Sequence, residues 1–230
     1  RDVNVPKFLI PDIPLFENII TDLFPTTERP KYEYGKLTDS IKDAIAHFNL
    51  QPIDIFIEKV YQLFNTMGVR HGMMIVGPTG GGKTLVMILD TLRRLQQADR
   101  PQTIVVVSPR ILLSVQLYEE FFAELNGKVD VAVMHVHSGE VDGNSTTKIQ
   151  EIQCHAAVCA AANTHQLIFT TYNSLRRINE AGIDVDTIYY DEAHNSVRRD
   201  FFKEVAAASL TAKQAYYLTA TPKYRGGAIS

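Results

Sequence analysis

The sequence predicts an α/β fold: a mostly parallel sheet with helices on both faces, preceded by a helical and irregular N-terminal extension. Three observations predict it. From Met73 onward, short apolar runs alternate with helix-length segments. A glycine-rich stretch, Gly77-Pro78-Thr79-Gly80-Gly81-Gly82-Lys83-Thr84, lies between the first apolar run and the first such segment. Upstream the pattern differs: the opening residues are rich in proline and hold few long periodic runs.

The extension is read as residues 1–70 and the sheet domain as residues 71–230. Within the extension a short helix is expected over Leu15–Leu23, stopped by Pro25, because proline cannot continue a helix. Further helices are expected over Asp39–Phe48 and Ile53–Phe64, with Pro52 in the first turn of the latter. In the sheet domain the strands are expected at 73–77, 103–108, 129–136, 167–171, 187–191 and 215–220. Helices are expected near 83–98, 110–126, 147–162, 172–180 and 197–209. Continuously apolar strands separated by helices imply a parallel sheet covered on both sides. In such sheets the functional loops lie at the C-terminal ends of the strands, and the informative motifs of this chain fall there.

Composition is that of an ordinary globular protein, with 45% hydrophobic and 21% charged residues in a chain of 230. The formal net charge is −3. Residues 1–82 carry 8 Lys+Arg against 10 Asp+Glu, and the rest carry 15 against 16. Neither part has a basic tail, so any nucleic-acid contact must come from a local groove. The two cysteines, Cys154 and Cys159, fall in an alanine-rich stretch and read as small apolar residues of a helix. Low cysteine usage fits a reducing interior, hence an intracellular, cytoplasmic location. No apolar run reaches the roughly 18 residues that span a bilayer. The chain does not open on methionine, as a fragment or a processed product would not.

Gly77–Thr84 fits the phosphate-loop pattern G-x-x-x-x-G-K-[ST] in the strand-to-helix context that the pattern requires. Glycines let backbone N–H groups turn inward around phosphate oxygens. The helix that follows adds its positive end. Lys83 would reach the β- and γ-phosphates of ATP, and the Thr84 hydroxyl would ligate Mg²⁺. A second constellation, Asp191-Glu192-Ala193-His194, follows the apolar run TIYY. A carboxylate at the end of a buried strand is costly without a partner. Asp191 would hold Mg²⁺, largely through water, and Glu192 would orient and deprotonate the attacking water. The bland alternative is a helix start that favours acids. His194 is either a functional member or a simple hydrogen-bond partner of the acid.

From Lys83 to the C-terminus the chain resembles the first motor domain of a superfamily-two helicase of the DEAD/DEAH-like type. GGGKT is similar to the first helicase motif, DEAH to the second, and Thr219-Ala220-Thr221-Pro222 to the third. The stretch around Ser108, Pro109, Arg110 and Gln116 resembles the motif after the second strand. Thr170, Thr171 and Tyr172 resemble a later strand-end motif. The resemblance implies a P-loop NTPase with a RecA-like sheet. It implies nucleic-acid contact through Ser108, Arg110, Thr170 and Thr171, DNA before RNA. Hydroxyls at strand ends and an arginine at a helix start suit phosphate, although a cap-and-turn and a plain strand end read equally well from the residues alone. It further implies that Thr219 and Thr221 couple nucleotide state to the bound strand. The family's adenine-reading glutamine has Gln62 as its nearest candidate.

Residues 1–84 resemble a different family, the axonemal dynein heavy chain, in the stretch leading into its second AAA+ module. RDVNVPKFL, DIPLFENIITDLFP, NLQP and VRHGMMIVGPTGGGKT carry that likeness, and no dynein similarity is expected beyond Thr84. The chain therefore reads as a chimera joined at a motif common to the two families. The strand before the phosphate loop is expected beside the strand at 215–220, and exposed apolar surface is expected on the extension. The chain stops soon after Thr221, so a second motor domain, with the arginine fingers that complete the ATP site, is expected from outside it. Nucleotide binding with weak or absent hydrolysis is the expectation. The alternatives are a piece of a dynein motor, with microtubule and axonemal partners, and a nucleotide-dependent binding module that does not hydrolyse.

Overall fold

The computed structural model describes residues 12–25, 34–69, 72–76, 82–139 and 145–220. The chain divides into two compact units, Arg1–Arg70 and His71–Ser230.

The first unit contains three helices, α1 (Asp12–Leu23), α2 (Lys36–His47) and α3 (Asp54–Val69). Helices α2 and α3 are joined by aromatic and polar contacts near their facing ends. Tyr34 stacks on Tyr61 with ring centroids 3.9 Å apart. Tyr61 shares a hydrogen bond of 2.8 Å with Thr38, and Asn65 donates to the Tyr34 hydroxyl at 2.7 Å. Ile41 and Ile45, one turn apart on α2, are buried. Helix α1 buries no residue. Pro52 lies two residues ahead of α3, outside its first turn. The expected apolar exposure is present: Leu15, Ile19, Leu23, Phe24, Leu50, Ile53, Ile55, Phe56 and Phe64 are all solvent-exposed.

The second unit is a six-stranded sheet in the order β1-β6-β5-β2-β4-β3. The strands are β1 (Gly72–Val76), β2 (Thr103–Ser108), β3 (Val131–Val136), β4 (His165–Thr171), β5 (Thr187–Tyr190) and β6 (Gln214–Thr219). Every pairing is parallel. The helices are α4 (Lys83–Gln97), α5 (Ile111–Leu125), α6 (Ile149–Ala161), α7 (Leu175–Ala181) and α8 (Arg199–Thr211). Period-two alternation divides the side chains of the central strands between two cores. Val105, Val107, Ile168, Ile188 and Tyr190 pack with α6, α7 and α8 through Ile152, Ile178 and Val205. The opposite face presents Phe169 to Phe121 and Tyr118 of α5, with edge-on centroid distances of 5.4 and 5.7 Å. Because both faces are covered, β2, β4 and β5 are buried almost end to end. Strand β1 instead alternates between exposed and half-buried residues. It lies beside β6, as expected, and the fit is close: a side chain at Gly72 would meet the Ala215 carbonyl oxygen at 2.7 Å.

All-parallel pairing brings every strand's C-terminal end to one edge of the sheet. That edge carries Val76, Ser108, Val136, Thr171, Tyr190 and Thr219, the points from which the motif residues continue. The phosphate-loop strand β1 and the acid-bearing strand β5 flank β6. With neighbouring strands about 4.8 Å apart, the two nucleotide motifs stand roughly 10 Å from each other across β6.

Candidate ATP site at the C-terminal edge of the sheet

Of the phosphate loop, Gly82, Lys83 and Thr84 are described; Gly77 to Gly81 lie outside the described residues, as does Thr221. Gly82 caps α4 in the left-handed region, φ 74°, a conformation that glycine adopts without steric cost. Lys83 and Thr84 therefore open a 15-residue helix whose first N–H groups face the edge where a phosphate would lie.

Asp191 leaves the end of β5, its N–H bonded to the Val107 carbonyl at 2.8 Å and its own carbonyl receiving the Tyr172 hydroxyl at 2.9 Å. Burial pushes its carboxyl up to about 6. The Glu192 N–H opposes this, the Glu192 charge adds to it, and the Lys83 charge opposes it. Lys83 and Asp191 thus come from two elements that end on one edge of the sheet. Glu192 has a left-handed backbone, φ 46° and ψ 52°, unusual for a residue with a long side chain. Strain of this kind persists only where surrounding contacts hold it. Asn195 Nδ2 donates to the Glu192 carbonyl at 2.9 Å, and a 3₁₀ turn over Ala193–Asn195 closes immediately afterwards.

His194 joins the acid loop to β6. Its Nδ1 lies 3.2 Å from Glu192 Oε2 and 3.1 Å from Thr219 Oγ1. An ionised carboxylate only accepts hydrogen bonds, so the proton belongs on Nδ1, shared between the two oxygens. Thr219 is 1% exposed and stands opposite Val76 in the strand register. The described site thus brings Lys83, Asp191, Glu192, His194 and Thr219 to one edge.

The residues read as nucleic-acid contacts separate into two kinds. Ser108 and Thr170 are fully buried. Ser108 Oγ donates to the Arg110 carbonyl at 3.0 Å, and Thr170 Oγ1 donates to the Val136 carbonyl at 2.8 Å. Thr171 is buried and bonded to Ser174. The Thr170 hydroxyl ties β4 to β3, whereas those of Ser108 and Thr171 brace the turns that follow their own strands. Arg110, the residue that caps α5, is exposed. Tyr172 is buried too, and its hydroxyl serves Asp191 rather than the surface. Gln62 lies on α3, where its side chain bonds Glu58 and Lys59 of the same helix. Both cysteines are free, Cys154 exposed and Cys159 buried on α6.

Among the described residues no group of three or more His, Cys, Asp or Glu could hold a metal ion. Mg²⁺ in nucleotide sites is held by one or two protein groups plus phosphate and water, so a lone Asp191 with the Thr84 hydroxyl suits it. No helix among the described residues is long and apolar enough to cross a membrane.

Residues 58–226 match the family of DEAD/DEAH box helicases. The chain belongs to that family. The helicase match begins upstream of Lys83, at residue 58, and so overlaps a second match. Residues 1–84 match the hydrolytic ATP-binding site of the dynein motor region. Similar curated proteins include dynein heavy chains. Dynein axonemal heavy chain 6 of Homo sapiens is 42% identical over 128 residues, and heavy chain 1 of Homo sapiens is 38% identical over 130. These alignments cover 52% and 53% of this chain and 3% of each relative. They are longer than the first 84 residues, so the likeness to dynein continues past Thr84, where none was expected. Among solved structures, a nuclease-deletion mutant of the Type ISP restriction-modification enzyme LlaGI, in complex with a DNA substrate mimic, aligns with a TM-score of 0.60 at 20% identity. It covers 86% of this chain and 18% of its own. The ATP-dependent Type ISP enzyme LlaBIII bound to DNA gives 0.58 at 19% identity, covering 89% and 14%. At such identities the likeness is one of fold: this helicase-family chain has the α/β architecture expected of it.

Proposed function

We propose that the chain is the ATP-binding lobe of a nucleic-acid-dependent ATPase. The observation that carries this reading is the placement of Lys83, at the start of α4, and Asp191, at the end of β5, on one edge of the sheet, from strands that flank β6. In this reading Lys83 and the loop N–H groups hold the phosphates. Thr84 and Asp191 hold Mg²⁺, which supplies charge neutralisation on the phosphates when bound. Glu192 orients and deprotonates the attacking water, with His194 fixing its carboxylate. Thr219, and Thr221 with it, couples the state of the site to the bound strand through His194. Exposed Arg110 meets the nucleic-acid backbone, while Ser108, Thr170 and Thr171 shape the edge that presents it.

Phosphoryl transfer depends on positioning and charge stabilisation from all sides. Arginine fingers from a second motor domain complete such a site, so residues 1–230 tested by themselves should bind nucleotide and turn it over weakly. The test is ATP turnover with and without single-stranded DNA and RNA. Lys83→Ala should weaken ATP binding about a hundredfold or more, in line with loss of a charge-assisted phosphate contact. Unchanged affinity would reject the loop, and brisk turnover stimulated by nucleic acid would reject the incomplete site.

A second reading has its own support. The matches to dynein heavy chains are closer in sequence than those to the solved helicase-like folds. In that reading the chain is a module of a dynein-type, microtubule-associated motor, and nucleic acid leaves its nucleotide affinity and turnover unchanged at any salt concentration. Salt-sensitive binding to single strands would exclude it.

A further inference from the structure

One buried polar cluster belongs to none of the motifs. Asp90 lies on α4, two turns beyond Lys83, and is 8% exposed. A carboxylate in such a place needs partners. Tyr189 Oη donates to its Oδ2 at 2.5 Å, Arg94 Nε donates to the same oxygen at 2.7 Å, and Arg93 Nη2 donates to Oδ1 at 2.8 Å. Arg94 continues outward, its Nη2 donating to Tyr216 Oη at 2.6 Å. Tyr189 and Tyr216 are register partners on β5 and β6, with stacked rings 5.4 Å apart. Burial, and then the Asp90 charge, push the Tyr189 phenol well above its ordinary range, so it stays a donor.

The placement of these groups is specific. Tyr189 is two residues before Asp191, and Tyr216 is three before Thr219. One side chain on the phosphate-loop helix is thus bonded to the acid-bearing strand directly and to the coupling strand through Arg94. A helix transmits displacement along its axis, and Asp90 is only about 10 Å from the helix start at 1.5 Å per residue. We infer that Asp90, through Tyr189 and Arg94, is a positioning residue that fixes Lys83 and Thr84 of α4 relative to Asp191 on β5. The inference rests on the ATP-site reading and adds to it what holds its two halves in register. It makes a distinct demand on binding. A phosphate contact from Lys83 comes from α4 alone and survives a shift of that helix. A Mg²⁺ held between Thr84 and Asp191 spans two elements and does not, since a displacement of about 1 Å can cost about a hundredfold.

The experiment titrates the whole chain with a fluorescent ATP analogue in excess Mg²⁺ and again in EDTA, alongside melting curves. Tyr189→Phe removes one hydroxyl and keeps the stacked ring; Asp90→Asn removes the charge. Both should leave affinity in EDTA within about threefold of wild type. Both should reduce the Mg²⁺-dependent gain at least about tenfold. If the wild-type chain binds no nucleotide, the ATP-site reading falls and this inference with it. If the wild-type chain shows a Mg²⁺-dependent gain that Tyr189→Phe keeps in full, the positioning role is overturned while the ATP site stands. Equal losses with and without Mg²⁺, tracking a lower melting temperature, would also overturn it, since the cluster would then serve folding alone.

Discussion

Helix α1 and strand β5 are both apolar, yet they behave in opposite ways. Every residue of β5 is buried, whereas α1 buries none and exposes Leu15, Ile19 and Leu23 at 62, 48 and 65% along one face. The difference is not one of hydrophobicity, since an apolar stripe is present in each. It lies in what the rest of the chain offers as a partner. Strand β5 has neighbours on both sides and helices over both faces. Among the described residues, the leucine–isoleucine stripe of α1 stays exposed. A contiguous apolar stripe in water is normally a docking surface or a liability. Helix α1 lies in the part matched by the dynein family model alone, and β5 in the part matched by the helicase model alone.

Limited proteolysis puts the contrast to its hardest test. Cleavage before residue 70 should be faster than cleavage within the sheet unit by about a hundredfold or more, because local opening free energies range from near zero to the full folding energy. Equal protection along the chain would mean that the first unit is as firmly held as the second. Point substitutions sharpen the same comparison. Phe169→Ala, which removes a buried ring from the α5 face of the sheet, should cost about 3–5 kcal/mol in urea unfolding. Ile19→Ser on α1 should stay within about 0.5 kcal/mol. A large loss at Ile19 would show that the stripe is buried in solution.

The sheet unit was the more legible part of the sequence, for a physical reason. A parallel strand covered on both faces must be apolar throughout, so β2, β4 and β5 announce themselves as unbroken runs. The side-by-side placement of β1 and β6 also followed from motif order. Hydrogen-bond destinations were not legible. Ser108 and Thr170 have the residue types of phosphate contacts, but the parallel register turns their hydroxyls onto neighbouring carbonyls. Tyr172, in the same strand-end motif, braces Asp191. Asp90 and Tyr189 were missed because 99 residues separate them and neither belongs to a motif. An aspartate on the buried face of an otherwise amphipathic helix was the available signal, since burial of a lone carboxylate demands a partner. Pro52 stands two residues before Asp54 and so precedes its helix rather than entering the first turn.

Asp191 offers the finest distinction, because the two regions should respond differently to acid. A carboxyl held near 6 in the folded protein titrates near 4 when unfolded. The folded state therefore binds the proton more tightly, and the ionised acid opposes folding at neutral pH. Lowering the pH from 7.5 through 6 toward 4 relieves that opposition. Asp191→Asn removes the charge at every pH, so it should raise the melting temperature of the sheet unit at pH 7.5. The advantage should shrink through 6 and vanish near 4. Nucleotide affinity should move the other way. Protonation of Asp191 removes a Mg²⁺ ligand, so the Mg²⁺-dependent part of ATP binding should fall as pH drops below about 6; because a terminal phosphate also titrates near 6, the substitution should make that fall shallower without abolishing it. A stability advantage that persists unchanged at pH 4 would mean that burial alone, rather than ionisation, sets the cost at Asp191. An equally steep fall in the wild-type and Asp191→Asn chains would place the metal elsewhere.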